Sequence, residues 1–279
     1  MKLEIYKPLW GHEGSLSLAV EQAVEAGFQG IEGSAPLDAL ERATFKAELE
    51  ENNLSYIGEI FTGGNYVPDA KATPEDHLDD IKRGLERLLP LNPQFINTQA
   101  GLDAWSMKTK VEFCEEVMKL AEEYKTTISI ETHRSRMTYS PWVTKDLIDA
   151  LPTLPLTIDF SHWCCVTERL IMNDEPELLV QIAQQTHHIH ARVGYDQGPQ
   201  VPDPRAPEYA SDVEAHLSWW KEIWAAMESK GKERVTMTPE FGTDGYLHLE
   251  PYTTKPVADL WEVNKWMGRE LREHWHYHC

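Results

Sequence analysis

Four short apolar runs in the second half of the chain each carry, at or near their end, a residue able to hold a metal or move a proton. Thr127 to Ile130 leads into Glu131, and Leu156 to Ile158 leads into Asp159, with His162 three residues on. His188 to Arg192 carries His190, and Val235 to Thr238 is followed by Pro239 and Glu240. A carboxylate at the mouth of a buried strand is costly unless it is paired or bound to a cation. Three carboxylates and one imidazole suit a divalent cation of intermediate hardness: Mn²⁺, Mg²⁺, Co²⁺ or Zn²⁺. Each residue also has a bland role open to it. Asp159 could cap the next loop, and His162 could be a satisfied loop histidine. Glu131 could pair with Arg134 or Arg136, and Glu240 with Arg234 or a lysine. What separates the readings is whether the strand ends meet.

The elements that would bring them together recur along the whole chain. Strands are expected at residues 3–6, 28–33, 54–60, 95–98, 127–130, 156–158, 188–192 and 235–238. Helical patterns separate them, the clearest opening at Thr73 and Pro74 with Glu75 and Asp76 at its positive end. Eight strand–helix units predict an α/β fold, a closed (β/α)₈ TIM barrel, as one domain over residues 1–279. Adjacent strand ends then converge on one mouth, and the two-residue strand period puts His188 and His190 on the same face. A doubly wound open sheet is the runner-up, but no G-x-G-x-x-G comes after the first strand. The proline-bearing stretch from Val193 to Ala210 is a long loop of the kind that covers a site or is disordered.

Composition narrows the class. With 41% apolar and 26% charged residues the chain reads as an ordinary globular protein, and no apolar run approaches a membrane span. The opening MKLEIYKPLWGHEG is too polar for a signal peptide. Four cysteines without zinc spacing, two of them adjacent, predict reduced thiols and a cytoplasmic location. Cys114 falls on the apolar stripe of a helix and reads as core. A net charge of −20 repels phosphate backbones and argues against nucleic-acid partners. Trp219, Trp220 and Trp224 are expected in the core and at an interface of a homo-oligomer. The terminal HWHYHC, ending in Cys279, reads as a frayed tail or the packed end of a helix.

The strand ends ETH, DFSH, HIH and PEFG, in that order, resemble the xylose isomerase-like barrel superfamily. Within it they look like the sugar isomerase and epimerase group that includes ketose 3-epimerases, hydroxypyruvate isomerase and inosose dehydratase. The resemblance implies one divalent metal held by Glu131, Asp159, His190 and Glu240. It makes Glu131 and Glu240 the proton-transfer pair and puts His162 against a substrate oxygen. The implied substrate is a small ketose or related polyhydroxy carbonyl compound, isomerised or epimerised through an enediolate. The rival is a dehydratase or lyase acting on a keto-sugar or inosose. A non-catalytic sugar-binding barrel is a weaker alternative. His133, Arg192, Arg205 and Gln99 are the candidates for the substrate's other oxygens. After HIH the family carries a glutamate and then an arginine; here ARVGYDQGPQVPDPRAP stands in that place, which leaves the substrate open. The basic loop THRSRMTYS could hold an acidic sugar, or its arginines could pair with surface carboxylates. Endonuclease IV-like members need further histidines on strands three and four and an Asp-x-His; FTGGN, NTQAG and DPR stand there instead.

Overall fold

The computed structural model describes residues 1–64, 66–243 and 245–278. Cys279 lies outside the described residues. The strands are β1 (Lys2–Pro8), β2 (Gly30–Gly33), β3 (Ser55–Phe61), β4 (Ile96–Gln99), β5 (Ile128–Glu131), β6 (Leu156–Ile158), β7 (Thr186–His190) and β8 (Arg234–Thr238). They pair in parallel, each with the next, and β8 returns to β1 through Lys2 opposite Arg234 to close the barrel. The helices are α1 (Leu16–Glu25), α2 (Ala39–Glu51), α3 (Pro74–Leu88), α4 (Met107–Glu123), α5 (Pro141–Ala150), α6 (Phe160–Thr167), α7 (Pro176–Gln185), α8 (Ala210–Ser229) and α9 (Leu260–His276). The α3 start is built as expected: Thr73 and Asp76 bond each other's backbone in a reciprocal cap.

The outward side chains of the strands, such as Ile5, Ile31, Ile96, Ile130 and Ile189, join the helices in one apolar core. The inward side chains are mostly polar and form layers. Tyr6, Ile57 and Phe95 make a small apolar plug. Above it lie His188, Thr236, Ser129 and Thr157, with His188 Nδ1 2.7 Å from Thr236 Oγ1 and Ser129 Oγ 2.8 Å from Thr157 Oγ1. The next inward positions on β5, β7 and β8, two residues on, are Glu131, His190 and Thr238, which is the strand period expressed as a vertical stack.

Three elements differ from the sequence expectation. No helix is expected at α6, yet it starts directly after β6 with Asp159 as its cap, Oδ1 accepting from Ser161 N at 2.8 Å. Asp159 therefore does act as a cap, for a helix rather than a loop, and with one of its two oxygens. β7 begins two residues early and stops at His190, so Arg192 sits just past the strand end. Trp219, Trp220 and Trp224 are no more than 2% exposed within one chain, consumed by packing such as Trp224 on Trp275 at 5.0 Å. Their expected role at an oligomer interface is corrected accordingly, since a partner could not reach them. Cys114 is core, with its thiol beside Met137 Sδ at 3.9 Å, and α9 is packed as far as Trp275. Among the described residues no helix is long and apolar enough to cross a membrane.

Candidate metal centre and substrate cavity

At the C-terminal mouth of the barrel, one ligand atom from each of Glu131, Asp159, His190 and Glu240 lies within 4.8 Å of the others, and all four residues are buried. The strand ends expected from sequence do meet. His190 Nδ1 is 2.9 Å from Glu240 Oε2 and 3.7 Å from Glu131 Oε2. His190 Nδ1 and Glu240 Oε2 are buried with no hydrogen bond of good geometry. Orphaned atoms of this kind, on donors of mixed carboxylate and imidazole type, fit a divalent cation.

A lower ring orients these groups. Glu32, inward from β2, takes His190 Nε2 at 3.0 Å, His188 Nε2 at 3.1 Å and the Thr238 hydroxyl. The Nε2 proton of His190 is thereby directed to Glu32, which leaves Nδ1 facing the mouth, the arrangement found behind metal-ligating histidines. Asn97 donates to Glu131 Oε2 at 2.9 Å and Gln99 donates to Oε1 at 3.2 Å. Glu32, Glu59 and Asn97 were not among the site residues expected from sequence. Glu32 and Glu59 were visible as strand-end acids, but neither had a histidine near it in the chain.

The environments drive the carboxyls apart. Burial alone would raise Glu32, but the imidazoles of His190 and His188 overcome it and hold it well below the usual range. Burial also opposes ionisation of Glu131, and the charge and hydrogen bond of His190 outweigh it, with help from His133 and Asn97. Glu240 goes the other way: burial dominates the pull of His190 and Arg192 and pushes it up to about 7. Glu59 is raised well above its ordinary value by burial and by Glu240, Glu32 and Glu131 around it. His190 is raised despite its burial, because three glutamates face it.

Above the centre is a cavity of about 200 Å³ lined by Trp10, Glu59, Phe61, Tyr66, Gln99, His133, Arg192, Glu240 and Tyr246. Arg192 is buried and reaches Asp159, Ser161 Oγ at 3.0 Å and His162 Nε2 at 2.7 Å, with Glu240 Oε2 at 3.5 Å. By accepting from Arg192, His162 Nε2 must be unprotonated, and burial pushes its imidazole well below the usual range. His133 packs against His162 with ring centres 3.9 Å apart and planes inclined at 49°, and its Nε2 is 3.5 Å from Tyr246 Oη. Arg205 is the exception among the expected residues. Its guanidinium pairs with Asp203 at 2.7 Å and faces the space between α8 and α9, away from the mouth. Nor does Arg136 sit in wait for an acidic substrate: it is fully buried and donates to Thr62 O at 2.7 Å and Tyr66 O at 2.8 Å. It ties the loop after β3 to the loop after β5. Arg136→Met strands both carbonyls and is expected to cost about 2–3 kcal/mol in urea unfolding; an unchanged midpoint would refute the strut.

A family model for the xylose isomerase-like TIM barrel matches residues 20–198, more than half of the chain. The chain belongs to this family. Across its full length the fold of this xylose isomerase-like barrel also matches solved structures. The probable 3-DHS dehydratase AsbF of Bacillus anthracis is 16% identical at a TM-score of 0.64, over 98% of this chain and 99% of that one. Endonuclease IV of Thermus thermophilus is 14% identical at 0.61, over 99% and 100%. The 3-keto-D-glucoside 4-epimerase YcjR of E. coli is 14% identical at 0.60, over 98% and 100%. Identities this low establish the shared barrel only. No functionally curated protein matches the sequence.

Proposed function

We propose that this xylose isomerase-like barrel is a metal-dependent isomerase or epimerase of a small polyhydroxy carbonyl compound. The observation that carries the reading is the contrast between two glutamates in one buried cluster. Glu131 is held ionised by His190, with His133 and Asn97 adding to it, while Glu240 is pushed up to about 7 by burial. Two titratable groups driven apart in this way define a base and an acid. Glu131 would take the proton α to the substrate carbonyl, leaving an enediolate. Glu240 would return a proton to the opposite face or to the adjacent carbon. Arg192, His162, His133 and Gln99 would hold the remaining oxygens, and the aromatic walls of Trp10, Phe61 and Tyr66 would exclude water. A divalent cation held by Glu131, Asp159, His190 and Glu240 would supply Lewis-acid polarisation of the carbonyl and its neighbouring hydroxyl.

A second reading, loss of water from a keto-sugar or inosose, is favoured by Glu59. Its carboxyl lines the cavity and is pushed well above the usual range by burial and by Glu240, Glu32 and Glu131, which suits it to protonate a departing hydroxyl. Nuclease action is disfavoured by the cavity's small volume, its aromatic rim and a net charge of −20. The test is to incubate ketoses and inososes with the Mn²⁺- or Mg²⁺-loaded protein in D₂O. Deuterium in a product of unchanged composition supports isomerisation or epimerisation. Product lighter by one water supports the second reading, and neither in any compound overturns both.

His190 lies between Glu32 on Nε2 and Glu240 on Nδ1, which is the pairing of a doubly protonated ring. A cation on the Nδ1 side must displace that proton. Metal binding near neutral pH is therefore expected to release between about one and two protons per site, one from His190 and part of one from Glu240, and apparent affinity to rise about tenfold or more per pH unit where both are protonated. Calorimetry in buffers of different ionisation enthalpy measures this, and binding that is independent of pH would contradict it.

A further inference from the structure

Lys7 is an anomaly outside the barrel mouth. It lies on the outward face of β1, in step with Ile5, and is only 3% exposed. Among the described residues its ammonium has one contact, the indole of Trp261, at 4.1 Å from the ring centre. A buried lysine without a carboxylate or carbonyl partner is rare and costly. Burial alone acts on it, lowering its pKa to about 8.

Lys7 opens onto a hollow of about 510 Å³ between the end of β1 and the start of α9. Leu260 and Trp261, the first two residues of α9, also line this hollow, and their amides donate to no acceptor among the described residues. The cap residue Asp259 turns Oδ1 onto Glu262 N at 2.9 Å and so serves a different amide. Close approach of the β1 loop keeps the hollow's floor tight: Gly11, at φ +73, leaves no space for a Cβ against Leu260 and Thr243. The other walls mix apolar groups, from Pro8, Leu247, Leu249 and the ring of Trp10, with polar ones, among them the carboxylates of Glu13 and Asp259.

We propose that this hollow binds a small organic carboxylate. Its anion would lie on Lys7 and the free amides of α9, and its apolar body against Trp10 and Trp261. A helix start and a buried cation that has an aromatic face but no carboxylate or carbonyl partner among the described residues together make an anion site. One cation, with the carboxylates of Glu13 and Asp259 also on the walls, favours a monoanion with a hydrocarbon part over a phosphate dianion, which needs more donors and would meet more repulsion. The site is separate from the metal centre, although Trp10 lines both cavities. It does not depend on the proposed reaction.

Benzoate serves as the probe, read by saturation-transfer NMR on the full chain, with benzyl alcohol and inorganic phosphate as controls. Wild-type protein is expected to show transfer to benzoate. Lys7→Met should weaken benzoate by at least about tenfold, while Lys7→Arg, which keeps the charge, should stay within about threefold. Arg192→Met, which alters the mouth, should leave benzoate binding unchanged. Absence of transfer in the wild type, or equal binding by wild type and Lys7→Met, overturns the site. Benzoate lost in Arg192→Met assigns the binding to the mouth and also overturns it. Displacement of benzoate by an equal concentration of phosphate overturns the carboxylate assignment.

Discussion

Replacing Glu240 by glutamine is expected to lower product formation about 10³-fold while leaving proton abstraction in place. Glutamine keeps the size of the side chain and an acceptor for His190 Nδ1, now 2.9 Å from Glu240 Oε2. What it removes is the carboxyl whose proton affinity burial raises, to about 7, and with it the group that would return the proton. Glu131 remains, ionised and bonded to Asn97 and Gln99. In D₂O the Glu240→Gln protein should therefore wash deuterium into recovered substrate without forming product. Glu131→Gln should lose both exchange and product. Because both glutamates belong to the metal cluster, the comparison is made at saturating cation with metal content measured in parallel. Exchange that survives in Glu131→Gln at the wild-type rate would reverse the two roles.

Glu32→Ala is expected to weaken metal binding about 10–100-fold although Glu32 is not a ligand in this account. The carboxylate fixes which nitrogen of His190 carries the proton and how the ring lies, and it satisfies His188 and Thr238 as well. Without it Nε2 loses its acceptor, and the ring has no reason to keep Nδ1 toward the mouth. Chelator competition measures the loss, and wild-type affinity in Glu32→Ala would remove the orienting role. The pH dependence has a definite sign. The folded carboxyl titrates below the ordinary value of 4.5, so its stabilisation is full above that pH and disappears only as pH falls below it.

The mouth was legible because each of four buried strands runs into an acid or a histidine, and buried acids demand a partner. The barrel came from counting such strands. The ring beneath the mouth was not legible in the same way. Glu32 lies 158 residues from His190, and only closure of the barrel brings them within 3.0 Å. A sharper signal was available: His188 and His190 share one inward face, so two imidazoles had to find an acid on another strand. Helix α6 was hidden because FSHWCCVT is short and rich in residues of ordinary helix propensity. Its start signal, Asp159, also serves the site. Arg205 was misplaced because a long loop of prolines and polar residues carries no periodicity to say which way it folds. Lys7 looked like any lysine near an N-terminus until the α9 start was packed over it.

The central claim is that Glu131, Asp159, His190 and Glu240 hold one cation at the mouth of this xylose isomerase-like barrel. The most direct test is the metal content of wild-type protein beside His190→Ala, after loading with Mn²⁺, Mg²⁺, Co²⁺ or Zn²⁺ and dialysis. The account predicts about one ion per wild-type chain and a content well below that in the variant, with both proteins equally folded. No retained ion in the wild type with any of these metals, or the same content in both proteins, would contradict it.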